Sequence, residues 1–483
     1  MKQTLFFPGL CALLLPAALL LGGCDLLGLT PAEPENDVSA PVDTPLTDAE
    51  DPSAEPEPAA DMRTFWAQSA SGSAAWYQIS AQRAVETGHC IVYGDISLLA
   101  AKPADGKWTT GQAQALADEF ETKALPLLQT HFGDTTDIDG NGKVIFLLLD
   151  IQDGYTGSGG YVAGYFDPTH MKAGSHSNYA EMLFLDLYPS EAGTESFYAT
   201  MVHEMQHLIN YSETTAKGRK AKAAWIDEGL SAGAEYLYSI ATGGSGDPGG
   251  RINTYNYYMN SRISLSTAER IDTCFHWDSS LMDYSTGWLF FYWLQTHAGS
   301  GAGIYKAIIK NYNDGDYRDV AAAAAAGIDP AFADWNKLLS TWMIANRAQN
   351  TSGYYGYKRA AFLNTMTFSG SSAKLYPGEG MYSTLRTTKT LADTASIKYL
   401  TIDSSAATVD EDGVYSWTPY FVAYLLTLNV NTNMGAGLST GSLAGDVVSR
   451  SAEAASESGG ETLFPVDSLP ERYPVSFGDM QGR

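Results

Sequence analysis

Two histidines stand four residues apart in the stretch Met201-Val202-His203-Glu204-Met205-Gln206-His207-Leu208-Ile209. On a helix, that spacing brings two side chains to nearly the same face, about 6 Å apart along the axis. Two imidazoles so placed can close on one zinc ion at about 2.0–2.1 Å. Glu204, beside the first histidine, can reach a water on that metal and take its proton. Val202, Met205 and Ile209 give the same helix a buried flank. The plain alternative is a surface helix with stray histidines, which is disfavoured because the chain has only 8 His.

A catalytic zinc takes three protein ligands and leaves one position open, so another element must supply the third. Downstream, Trp225-Ile226-Asp227-Glu228-Gly229-Leu230-Ser231 opens a helical run with two adjacent carboxylates. Glu235 lies seven residues beyond Glu228, nearly under the same face. There it can accept a hydrogen bond from a histidine or simply face water. Further on, Asp283-Tyr284-Ser285-Thr286-Gly287-Trp288 opens another helical run, where the Tyr284 hydroxyl can donate a hydrogen bond or the ring can simply pack; His276 is the rival donor nearby in sequence.

A second group of oxygen ligands precedes the apolar run Val144 to Leu149. In Asp137-Ile138-Asp139-Gly140-Asn141-Gly142-Lys143, the side chains of Asp137, Asp139 and Asn141 alternate as in a calcium loop. The twelfth position is Leu148 rather than Glu, which favours a glycine-rich turn over a calcium site.

The elements that must position these residues follow from pattern. Cys90 to Tyr93, Val144 to Leu149 and Met182 to Leu185 read as strands. Helical spacing covers Thr110–Phe132, Thr194–Tyr211, Ala223–Ile240, Trp288–Thr296 and Pro330–Asn346. After Gln349, short β-branched and aromatic stretches such as Ile397–Ile402 and Tyr420–Leu428 alternate with turns. The fold class expected is α+β, a mixed sheet with active-site helices over 62–348 and a small all-β unit over 349–434. Residues 435–483, rich in Ser, Gly and acid, read as a flexible tail.

The chain has 483 residues, of which 45% are hydrophobic, enough for a large core. Its net charge of −26 repels phosphate and argues against nucleic acid as a partner. Residues 1–24 read as an export signal: Lys2, an apolar run from Phe6 to Leu21, then Leu21-Gly22-Gly23-Cys24. That ending resembles a bacterial lipobox, which makes Cys24 the lipidated residue and a bilayer its partner. Residues 25–61 carry eleven acids, no base and seven prolines, and read as an extended tether. Of the remaining thiols, Cys90 and Cys274 can pair in an oxidising compartment if their geometry permits.

The His203-Glu204-x-x-His207 motif, the Trp225 to Ser231 segment and the Tyr284 stretch together resemble the gluzincins. That resemblance implies Glu228 as the third zinc ligand. Twenty residues separate it from His207, close to the interval in thermolysin and aminopeptidase N, and the Glu-Gly step selects it over Asp227. It also implies that the Tyr284 hydroxyl donates to the tetrahedral oxyanion of peptide hydrolysis. The form H-E-x-Q-H-x-I-N, with Gln206 and Asn210, and the Asp137 to Lys143 segment before a strand are similar to the hyicolysin family of bacterial neutral zinc metallopeptidases. The similarity spans roughly Cys90 to Asn346.

The sequence therefore points to a zinc-dependent endopeptidase, with Zn2+ as cofactor, Ca2+ as a second if the Asp137 to Lys143 turn holds it, and proteins or peptides as substrates. It would be a monomer, lipid-anchored in the cell envelope outside the cytoplasm. The Gly-x-Met-Glu-Asn segment by which aminopeptidases capture a free amine is not found. In the family, substrate lies along an edge strand, and Glu181 to Leu187 is the candidate for it. The competing function is a catalytically inactive surface binding lipoprotein on a peptidase fold.

Overall fold

The computed structural model describes residues 61–442, apart from 72–74, 159–160, 248–249, 262–274, 278–280, 366, 369–371, 386–388, 404–408, 411–413, 416–422 and 435–438. The export signal, Cys24 and most of the tether lie outside the described residues. Among those described, no helix is long and apolar enough to cross a membrane.

Val144–Leu149 is apolar at every position because both of its faces are covered. Ile145, Leu147 and Leu149 join Phe65, Ile79 and Phe184 on one side of a sheet. Val144, Phe146 and Leu148 join the helical core on the other. The sheet has six strands: β1 (Met62–Gln68), β2 (Trp76–Glu86), β3 (Cys90–Asp95), β4 (Val144–Leu149), β5 (Gly164–Phe166) and β6 (Met182–Asp186). Their order is β1-β2-β3-β4-β6-β5. β3, β4 and β6 run parallel, while β5 closes the edge antiparallel to β6.

That order corrects the expected substrate strand. The segment Glu181 to Leu187 contains β6, which hydrogen-bonds to β4 on one side and β5 on the other. A strand with both neighbours in place has no free edge. The edge is β5, too short to stand out by periodicity.

Thr109 starts α1 (Thr110–Glu119) with a reciprocal cap, accepting from Gln112 N–H while the Gln112 side chain accepts from Thr109 N–H. A π-turn at Phe120–Ala124 leads into α2 (Leu125–His131), so the predicted Thr110–Phe132 helix is a run of two helices joined by that turn. α3 (Glu195–Glu213) begins at the Thr194 cap and is buried along most of its length. α4 (Ala224–Ala241) packs across it. There follow α5 (Arg251–Ser261), α6 (Leu281–His297), α7 (Gly303–Ile309), α8 (Tyr317–Gly327) and α9 (Trp335–Ala348).

Two glycines set how closely α4 is approached. A Cβ on Gly229 would lie 2.4 Å from the Phe291 ring of α6, and one on Gly233 would lie 2.9 Å from Tyr305 of α7. The absence of side chains there lets fully buried rings seat on the α4 backbone, each such ring contributing about 1.5–3 kcal/mol by burial.

The C-terminal part is a four-stranded antiparallel sheet of Val409–Asp410, Ile397–Asp403, Ala423–Asn429 and Gly380–Leu385. The protein is thus α+β, with a mixed sheet, covering helices and a separate small antiparallel sheet. The small sheet shares the main core: the Tyr382 hydroxyl donates to the Met343 carbonyl of α9 at 2.5 Å. Ser439–Ser442 pairs with Ser372–Leu375, so ordered structure continues past the point where the tail was expected to begin. Strand pairing uses backbone groups and does not require bulky side chains.

Candidate metal centre

α3 and α4 cross so that three ligand-type atoms converge. His203 Nε2 lies 3.1 Å from His207 Nε2. Glu228 Oε2 lies 3.2 Å from the first and 3.5 Å from the second. A tetrahedral zinc with bonds of about 2.0–2.1 Å holds its ligand atoms about 3.3–3.4 Å apart. The three atoms therefore stand at the separations such an ion imposes. One oxygen of Glu204 also falls within 4.8 Å of both imidazoles.

The other nitrogen of each imidazole is held by a carboxylate. His203 Nδ1 is 2.5 Å from Glu235 Oε1, an oxygen that also accepts from Arg251 Nη2 at 2.7 Å. His207 Nδ1 is 3.1 Å from Asp227 Oδ2, and Asp227 Oδ1 accepts from Asn210 Nδ2 at 2.5 Å. An ionised carboxylate can only accept, so Glu235 and Asp227 draw a hydrogen onto each Nδ1, and Nε2 is the nitrogen left to give its lone pair to an ion. A carboxylate behind the ring orients a metal-binding imidazole in this way.

Glu204 is completely buried. Its Oε2 accepts from the Phe166 N–H of β5 at 3.0 Å, while Oε1 has no hydrogen-bond partner. Burial pushes its pKa up, against the pull of His203 and His207. Glu228 behaves oppositely. Burial acts to raise its pKa, but His207 and His203 outweigh that and hold it at about 2. The two neighbouring carboxylates are thus pushed in opposite directions, Glu228 down and Glu204 up.

The Tyr284 hydroxyl donates to Glu228 Oε1 at 3.4 Å, on the carboxylate oxygen turned away from the histidines. Trp277 packs edge-on against the Tyr284 ring. His276 stands elsewhere: its ring stacks on Tyr376 at 3.8 Å, and Nδ1 lies 3.2 Å from the Met434 carbonyl. A cavity of about 300 Å³ opens beside His207 and Glu228, bounded by Phe166, Lys172 and Tyr211 among others.

Three contributors escape sequence reading. Asp227 stands out only as the neighbour of Glu228, yet two histidines need two acceptors, and that requirement points to it. Arg251 comes from α5 and offers no pattern. The third is a backbone N–H, that of Phe166, which no side chain announces. At the turn before β4, Asn141 Oδ1 accepts from Lys143 N–H at 2.6 Å, and Asp137 and Asp139 converge instead with Glu181.

The bridge that Cys90 could have made with Cys274 is not formed at Cys90. That thiol is free and buried at the start of β3, 3.1 Å from the Thr87 hydroxyl. It faces the core between the sheet and α1. Cys274 lies outside the described residues.

Buried imidazoles with carboxylate partners, a third carboxylate at ligand spacing and a mixed sheet with an antiparallel edge strand fit a metallopeptidase. The comparison with known proteins agrees at that level. The chain is 28% identical over 273 residues to the neutral metalloprotease ShpI of Staphylococcus hyicus. The match covers 55% of this chain and 60% of that protein, so the chain spans less than two thirds of the relative's length. No protein-family model matches.

Proposed function

We propose that the chain is a zinc-dependent endopeptidase of the gluzincin type, similar to the hyicolysin family. The observation that carries this reading is the spacing of His203 Nε2, His207 Nε2 and Glu228 Oε2, 3.1–3.5 Å apart, with Glu204 beside them. In this reading those three residues hold the ion. Bound there, zinc supplies Lewis acidity, polarising a scissile carbonyl and lowering the pKa of water.

The chain's own residues do the rest. Glu204 Oε1, buried and without a partner, takes the proton of the attacking water and passes it to the leaving nitrogen. Tyr284, whose hydroxyl already reaches the Glu228 carboxylate, donates to the developing oxyanion. Substrate lies extended along β5, adding a strand to the sheet edge. The Phe166 N–H fixes Glu204 against that same strand, so the base and the substrate path share one element.

We further place the protein in the cell envelope, anchored through acylated Cys24 and held off the bilayer by residues 25–61. Replacing Cys24 with Ser should release it from the membrane fraction. The endopeptidase assignment is tested with N-acetylated internal peptides and denatured casein. An endopeptidase gains binding energy from residues on both sides of the scissile bond, so acetylation should leave the rate nearly unchanged and single-residue reporters should be poor substrates. Ordered release of N-terminal residues, lost on acetylation, would make it an exopeptidase. Full zinc occupancy without cleavage of any peptide would favour the inactive binding protein.

A further inference from the structure

A second cluster of metal-type ligands lies where β4 and β6 begin. One carboxylate oxygen from each of Asp137, Asp139 and Glu181 lies within 4.8 Å of the others. Asp137 and Asp139 are exposed on the turn, whereas Glu181 is 1% exposed. Among the described residues, no Lys, Arg or His pairs with any of the three.

The turn is held by its own backbone. Asp137 Oδ1 accepts from Gly140 N–H at 2.9 Å and Asp139 Oδ1 from Asn141 N–H at 3.1 Å. Glu181 Oε1 accepts from Ile138 N–H at 2.7 Å. Its Oε2 is buried and has no hydrogen-bond partner. A buried carboxylate oxygen left unpaired beside two further carboxylates is costly unless a cation meets it. Burial first, and then the Asp139 and Asp137 charges, raise the pKa of Glu181.

We infer that Asp137, Asp139 and Glu181 form a binding site for one calcium ion. Hard carboxylate oxygens with water completing the shell suit calcium rather than zinc. The acid absent from the twelfth position of the loop is supplied by Glu181, just before β6 and 38 residues beyond Lys143 in sequence. The site joins three elements. The turn leads into β4 and Glu181 into β6, while Thr136 Oγ1 lies 3.2 Å from Ser212 Oγ on the last turn of α3. Calcium here would brace the end of the helix that carries His203 and His207.

The test uses the full chain, zinc-loaded, in calcium-free buffer, with zinc content followed throughout. Calorimetric titration with CaCl2 should show one ion bound per chain. At about a hundred times its Kd, calcium should raise Tm by roughly 3 °C. Glu181→Gln should lose both the binding heat and the Tm rise. Without calcium it should melt no lower than the parent, because it removes an unpaired buried charge. If Glu181→Gln fails to fold, Asp139→Asn, on the exposed turn, should weaken calcium at least tenfold. Zinc content should stay unchanged in both variants, which keeps this site's failure separate from that of the catalytic reading. No calcium binding by the parent, or an unaltered Tm rise in Glu181→Gln or unaltered affinity in Asp139→Asn, would overturn the assignment.

Discussion

At the crossing of α3 and α4, two imidazoles meet one carboxylate oxygen, and each imidazole is held from behind by another acid. At the entry to β4 and β6, three carboxylates meet, and the donors that face them among the described residues are uncharged: amide hydrogens and the Thr136 hydroxyl. The first cluster is almost wholly buried and carries its own counter-charge; the second is half open to water and carries none. The difference lies in donor chemistry and in scaffold. Nitrogen donors on rigid helices fix spacing and ring orientation before any ion arrives. Oxygen donors on a turn leave charge to be neutralised and geometry to be completed by the ion. The first arrangement suits catalysis, which needs a preorganised open position; the second suits bracing.

The largest effect that would break this contrast belongs to the imidazoles. His203→Ala or His207→Ala should empty the zinc site and reduce peptide hydrolysis to background, measured by elemental analysis and a casein assay. Full zinc retention in both variants would remove the site. Next is Tyr284→Phe, which should lower kcat by about 100-fold to 1,000-fold with zinc unchanged, the range seen for loss of one oxyanion donor. An unaltered kcat would move the donor elsewhere. Smaller still are the acids behind the rings. Glu235→Gln and Asp227→Asn should each weaken zinc by roughly 10-fold to 100-fold in competition with a chelator, whereas Asp139→Asn should not change it at all. A zinc affinity that responded to Asp139 would mean that the two clusters are not separate. The smallest is Gly229→Ala, which drives a methyl into Phe291 and should cost about 1–3 kcal/mol in denaturant unfolding while leaving the metal in place.

What the sequence made legible was local. The i, i+4 histidines, the Glu-Gly step at Glu228 and the apolar run Val144–Leu149 each put their signal within a few residues of where it acts. α3 and α4 begin within about one residue of their predicted starts for that reason. What stayed hidden depends on contacts between distant segments. Arg251 reaches Glu235 from another helix, Glu181 meets a turn more than 40 residues earlier, and β5 is three residues long. The expected substrate edge fell on β6 because an apolar run marks buried faces and says nothing of which strand lacks a hydrogen-bonded neighbour; β5, the actual edge, is buried at all three positions. The unpaired state of Cys90 also follows from tertiary packing, which spacing does not encode.

The central claim is that Glu228 is a ligand and Glu204 is not, although both lie against the same two imidazoles. Zinc content and peptide hydrolysis of Glu204→Gln and Glu228→Gln, measured side by side, test it most directly. The account predicts about one zinc per chain and nearly no hydrolysis for Glu204→Gln, a loss of roughly 100-fold to 10,000-fold. It predicts loss of both zinc and hydrolysis for Glu228→Gln. An empty site in Glu204→Gln together with a full one in Glu228→Gln would contradict it and exchange the two roles.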